Sequence, residues 1–209
     1  MADRISFIHL PRTGGSFIGY ATKEHKLPYV DCVEAHKTAR QYHNSNNNFL
    51  IGAIRNPFDW YVSRFEYFRS ARDRIEGGIS KHNDLGLDRQ DFSKKVTSLK
   101  KHLMYGEYCG LTGNLPRFWL SDMYKYCFCN SDGKLLLDYV YKLEDIDAEY
   151  RHIFAINNLP IVENISQFDS FRNASIRKPY THPQYYDQEL KDLIYEKDAF
   201  IFEEYNYSF

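Results

Sequence analysis

Apolar and polar positions alternate along this chain in blocks that read as strands feeding helices. Residues 5–10 form an almost unbroken apolar run that stops at Pro11, the signature of a central strand covered on both faces. A short loop of Arg12, Thr13, Gly14, Gly15 and Ser16 follows. Helical spacing then begins with Phe17, Ile18 and Tyr20, which predicts a first helix over 16–26 with Ser16 as its N-cap. Residues 29–33 read as a second, less buried strand ending at Glu34, Ala35 and His36, and 37–43 as a short helix. Residues 49–54 are a third strand, which leaves through Arg55, Asn56 and Pro57. Proline suits the first helical position. Phe58, Tyr61, Val62, Phe65 and Phe68 then repeat at helical spacing, predicting a helix to residue 71.

The pattern weakens after that. Residues 72–88 contain three glycines and no period, so a loop or insertion is expected there. Helices are expected over 90–104 and 117–126. A short strand, a turn at 131–133 and another strand follow, with Cys127 and Cys129 in the first of these strands. A strand is expected at 136–141, a helix capped by Asp145 running to 157, and a last helix over 184–199 before an aromatic tail. Strand–helix alternation of this kind predicts an α/β fold with three layers around a central, mostly parallel sheet. The 209 residues fit a single domain over 1–209, with 72–135 the region of an insertion or acceptor-binding segment.

Composition changes this picture little. A net charge of −1 gives no reason to expect nucleic-acid binding. The 18 Tyr and 15 Phe are read as a tyrosine-rich core. Cys127 and Cys129 form a C-x-C pair, which matches neither a zinc knuckle nor a redox C-x-x-C, so buried thiols in a reducing compartment are expected. No leader and no apolar stretch of membrane-spanning length is evident, and a cytoplasmic location is expected. The Asn-x-Ser triplets at Asn164, Asn173 and Asn206 are then chance.

Two anion sites can be read from residue types. The first is the 12–16 loop: glycines let the backbone approach an anion, and a helix N-terminus points amides at it. It is not a Walker A loop, because His9 and Leu10 stand where the leading glycine belongs. The second is Arg55 at a strand exit, with Ser63 eight residues on; a guanidinium suits a phosphate fork. In open α/β sheets ligands gather at the carboxyl ends of strands. Two separated anion sites there fit a nucleoside with phosphate at both ends. ATP has contiguous phosphates and needs Mg²⁺, for which only Asp138 and Glu144 offer themselves. No metal is expected.

The residues Phe7-Ile-His-Leu-Pro-Arg-Thr-Gly-Gly-Ser16 resemble the 5′-phosphosulfate loop of sulfotransferases that use 3′-phosphoadenosine 5′-phosphosulfate (PAPS). The resemblance is to the branch with the heparan sulfate 2-O-sulfotransferases and bacterial carbohydrate sulfotransferases. Ala53-Ile-Arg-Asn-Pro-Phe-Asp-Trp-Tyr-Val-Ser63 resembles that family's 3′-phosphate motif. His36-Lys-Thr-Ala-Arg40 is similar to the segment that holds a catalytic histidine, and Asn173-Ala-Ser-Ile-Arg-Lys-Pro-Tyr180 to a loop closing over the nucleotide. The resemblance implies a P-loop-NTPase-like fold and transfer of a sulfuryl group from PAPS to an acceptor hydroxyl, on a carbohydrate, without a metal.

It also implies roles. Arg12, Thr13, Gly14, Gly15 and Ser16 hold the phosphosulfate; Arg55 and Ser63 hold the 3′-phosphate; Arg177 and Lys178 face the nucleotide. His36 is the general base, with Glu34 in reserve, while His9 packs at the strand end. The family usually has Lys where this chain has Arg12. Arg69, Arg72, Arg74, Lys81, Lys94 and Lys95 are available to an anionic glycan. The rival functions are a P-loop-type nucleotide kinase and a non-catalytic nucleotide-binding relative. Neither acceptor identity nor oligomeric state is legible.

Overall fold

A computed structural model describes residues 4–24, 27, 29–33, 37–42, 48–65, 99, 103, 119–162, 165–168 and 185–209. Two compact units divide the chain: Met1–Arg55 with Met123–Ala174, and Asn56–Asp122 with Ser175–Phe209.

The first unit is built on a four-stranded, all-parallel sheet. Its strands are β1 (Ile5–Ile8), β2 (Val30–Cys32), β3 (Phe49–Ile54) and β4 (Tyr139–Lys142), in the order β2-β1-β3-β4. Ile5 pairs with Val30 on one side and Phe49 on the other, and Ile51 pairs with Tyr139. The parallel α/β expectation therefore holds, and β1 is an interior strand, buried along its whole length. Alternate residues face opposite sides of a strand. Ile5, Phe7, Ile51 and Ala53 join a core with Ile18 and Ala21 of helix α1 (Gly15–Lys23). Tyr150, Ile153 and Phe154, from the helix Ile146–Ile156, close that core. From the other set, Gly52 lies so close to Leu137 and Phe128 that an added Cβ would sit 2.6 Å from each.

Several boundaries differ from expectation. Ser16 is not the N-cap of α1; Gly14 is, with φ of 86°, and the helix starts at Gly15. Residues 37–42 form one turn rather than a helix. Thr38 and Gln41 satisfy each other as a capping box, the Thr38 amide donating to Gln41 Oε1 at 2.9 Å. The Ala39 amide, however, donates to the Cys127 carbonyl, and Arg40 donates to the carbonyls of Cys129 and Asn130. The Tyr42 amide makes one i−4 bond, to the Thr38 carbonyl at 3.0 Å, and the rest of the turn is tied to a neighbouring element. Cys127 is likewise not in a strand. It ends a helix, Leu120–Phe128, and Cys129 makes a lone antiparallel bridge to Leu135 around the expected turn. Both thiols are buried, and burial pushes the Cys127 thiol up to about 12. The strand expected at 136–141 is shorter and later, Tyr139–Lys142, and Asp145 stands before its helix without a side-chain cap.

In the second unit, α2 covers 57–65 and begins at Pro57 as expected. The single helix expected over 184–199 is two helices. Gln188–Lys197 is capped by Asp187, whose Oδ1 accepts from the Leu190 amide at 2.9 Å, and Ala199–Tyr205 takes in most of the aromatic tail. Asp198 is the break between them, with φ of −111° and ψ of 20°. Among the described residues no helix is long and apolar enough to cross a membrane.

Candidate functional site

The sheet edge that matters is the carboxyl one, where β1 runs into the loop before α1. Leu10 is the last buried apolar residue. Arg12 and Gly14 both take left-handed backbone, φ 69° and 86°, and this reverses the chain within four residues. Thr13 lies between them, fully buried, and its hydroxyl donates to the Leu10 carbonyl at 2.7 Å. Thr13 thus braces the loop from inside. Ser16 is exposed on the first turn of α1. The first amides of a helix have no intrahelical acceptor, so Gly15 and Ser16 supply the N–H groups an anion would meet there.

Each glycine has a local reason. Gly14 has the left-handed φ that side chains disfavour, and a Cβ on it would come within 2.7 Å of Leu143 Cδ1. Gly15 carries the imidazole of His9 directly against its α-carbon, where a Cβ would overlap the ring. His9 stacks on Phe7 with ring centroids 6.2 Å apart. It packs at the strand end, as expected, and shapes the loop while doing so.

β3 lies beside β1 in parallel register, Ile8 opposite Gly52, and ends at Ile54. Arg55 therefore leaves the sheet at the same edge as the loop, with only 6 % of its surface exposed. Ser63 falls in the second unit, on α2, and is 2 % exposed. The two acidic residues offered for Mg²⁺ separate. Asp138 accepts from the Leu50 amide at 2.7 Å and donates its own amide to the Leu50 carbonyl, which puts it at the amino end of β3. Glu144 follows β4 in a 3₁₀ turn at the carboxyl edge, next to the Leu143 that abuts Gly14. Among the described residues no three His, Cys, Asp or Glu side chains gather as a metal cluster. His36, Glu34, Arg177 and Lys178 lie outside the described residues, as do Arg69, Arg72, Arg74, Lys81, Lys94 and Lys95.

The second unit holds a polar cluster that sequence reasoning missed. Asp198 is fully buried; its Oδ2 accepts from the Tyr61 hydroxyl at 2.6 Å and its Oδ1 from the Ser121 amide at 2.8 Å. The Tyr61 oxygen in turn accepts from the Leu120 amide at 3.0 Å. Burial raises the Asp198 carboxyl to about 6, against the lowering effect of those hydrogen bonds. The only hint in sequence was an acidic residue inside an apolar helical period.

Compared with protein-family models, with curated proteins and with solved structures, the chain finds no match.

Proposed function

We propose that the chain is a PAPS-dependent sulfotransferase with the three-layer, P-loop-NTPase-like arrangement of that family. One observation supports this above the rest: the glycine loop into α1 and the exit of Arg55 from β3 occupy one edge of two adjacent parallel strands. A loop of helix-terminal amides suits the 5′-phosphosulfate, and a buried guanidinium one strand over suits a 3′-phosphate. Of the two carboxylates offered for Mg²⁺, Asp138 lies at the opposite edge and only Glu144 follows a strand at the edge of the loop, so the kinase reading rests on that one residue.

In the proposed reaction an acceptor hydroxyl, on a carbohydrate, attacks the sulfur in line. The new O–S bond forms as the bond from sulfur to the bridging phosphate oxygen breaks. The hydroxyl proton passes to His36, and 3′,5′-bisphosphoadenosine leaves. Arg12 and the amides of Gly14, Gly15 and Ser16 balance charge on the leaving phosphate, with Thr13 fixing the loop. Arg55 and Ser63 anchor the far end of the nucleotide, with Arg177 and Lys178 over it, so that the sulfuryl group is held for attack.

The test is a transfer assay from PAPS to a panel of glycans and small alcohols, read by mass spectrometry. Transfer without Mg²⁺ is expected, with a loss of ~10²-fold or more in His36→Ala if it is the base. Bisphosphoadenosine should stabilise the chain thermally without metal, and Arg55→Ala should abolish that effect. Stabilisation by ATP that needs Mg²⁺, with no effect of bisphosphoadenosine, would establish the kinase reading instead. Nucleotide binding without transfer to any acceptor would leave the non-catalytic one.

A further inference from the structure

The start of α2, the helix that carries Ser63, is held by a segment some 150 residues away in sequence, roughly the whole of a typical domain's length. Asn56 is the N-cap: its Oδ1 accepts from the Phe58 amide at 3.0 Å, and its carbonyl accepts from the Trp60 amide at 2.8 Å. The other end of the same side chain is committed as well, because Nδ2 donates to the Ser208 carbonyl at 2.7 Å. The next residue, Phe209, lies edge-on to Phe58 at 4.8 Å and to Tyr186 at 5.9 Å between centroids. Its amide donates to the Tyr195 hydroxyl at 3.1 Å, and Lys191 Nζ stands 3.4 Å over its ring. Tyr186 completes the frame by donating to the Phe58 carbonyl at 2.5 Å.

We infer that Ser208 and Phe209 form a clasp that positions the 56–58 corner, and through it Ser63 on the helix that follows, the residue of this unit proposed to serve the nucleotide's 3′-phosphate. The inference rests on the sulfotransferase reading for the ligand, but the clasp itself does not. Asn56 follows Arg55 by one peptide bond, and Ser63 lies two turns along the helix that Asn56 caps. A cap whose amide is fixed at both ends cannot rotate away, so the corner keeps one backbone path. Burial of Phe58 among Tyr186, Tyr195, Phe202 and Phe209 makes that path insensitive to thermal opening. None of the clasp residues touches reacting atoms; Phe209 and Asn56 are positioning residues.

The experiment uses the full chain with Phe209→Ala, Phe209→Tyr and the milder Tyr195→Phe, which removes only the hydroxyl that receives the Phe209 amide. Amide hydrogen exchange at Phe58 and Trp60 reads the corner without any ligand. Calorimetry with bisphosphoadenosine and donor kinetics read its consequence. For Phe209→Ala the two amides should exchange ~10-fold faster or more, and bisphosphoadenosine should bind about tenfold more weakly. Donor KM should rise in step while kcat stays within about twofold, since positioning of a remote binding group is lost and not the chemistry. Phe209→Tyr should restore both, and Tyr195→Phe should shift both in the same direction by about threefold. Unchanged exchange in Phe209→Ala overturns the clasp. Faster exchange with unchanged bisphosphoadenosine affinity overturns its positioning role while leaving the sulfotransferase reading intact. A wild-type chain that binds no bisphosphoadenosine overturns that reading and the nucleotide role together.

Discussion

The Tyr61 hydroxyl donates to Asp198 Oδ2 at 2.6 Å inside a fully buried cluster, and this bond opposes the burial that raises the carboxyl to about 6. An unfolded aspartate titrates near 3.8. The folded state therefore holds its proton more tightly than the unfolded state. Stability from this group is complete below about pH 4 and declines as pH rises through about 6, by on the order of 3 kcal/mol. Asp198→Asn has no such titration. Urea melts should show the stability of Asp198→Asn, relative to wild type, climbing by about that amount between pH 4 and 7. A flat or falling difference would mean that the hydrogen bonds outweigh burial.

Tyr61→Phe tests the same cluster from the other side. It removes the donor to Asp198 and the acceptor of the Leu120 amide in one step, leaving two buried groups short of a partner. The expected cost is roughly 2–4 kcal/mol at pH 7. Because the lost bond had lowered the carboxyl's pKa, the decline in stability should move to higher pH. Equal stability of the two proteins at pH 7 would show the cluster to be solvated.

Periodicity found the elements whose burial is one-sided or complete. β3 was legible to the residue because six apolar positions sit between polar boundaries, and Pro57 marked the start of α2. What misled was either local backbone conformation or a competing partner far away in sequence. Ser16 looked like a cap, yet Gly14 takes the N-cap position with the left-handed backbone that glycine adopts without penalty. The 37–42 turn had helical composition, but its Ala39 amide and the Arg40 side chain are drawn to the carbonyls of Cys127, Cys129 and Asn130. Asp198 breaks a helix because two distant groups, Tyr61 and the Ser121 amide, bond its carboxylate. The same holds for the candidate site. Residue types marked Gly14, Gly15 and Arg55, but nothing local revealed that Thr13 turns inward or that His9 rests on Gly15.

That last contact predicts a coupled pair. Gly15→Ala puts a methyl group into the His9 imidazole, so either the ring or the loop must move. Overpacking of this kind costs about 1–3 kcal/mol. In a His9→Ala background the clash is gone and the same substitution should cost well under half as much, giving an interaction energy of about 1 kcal/mol or more in a double-mutant cycle. Strict additivity of the two substitutions would show that the methyl group is accommodated without displacing the ring.

Arg12 is where loop geometry and proposed chemistry can be separated. Its φ of 69° is a left-handed conformation that costs any side chain roughly 1–2 kcal/mol, and Lys would meet the same cost. Arg12→Lys should therefore melt within about a degree or two of wild type. The chemistry should not be neutral. A lysine is a compact point charge that can follow the bridging oxygen as charge develops on it, whereas the planar guanidinium is fixed in its fork. Under the sulfotransferase reading Arg12→Lys should raise kcat for transfer from PAPS, with donor KM little changed, by roughly threefold to tenfold. Arg12→Gly should relieve the backbone and melt higher while transfer collapses. If Arg12→Gly transfers as fast as wild type, the side chain at this position has no part in stabilising the leaving phosphate, and the loop's amides alone must do so.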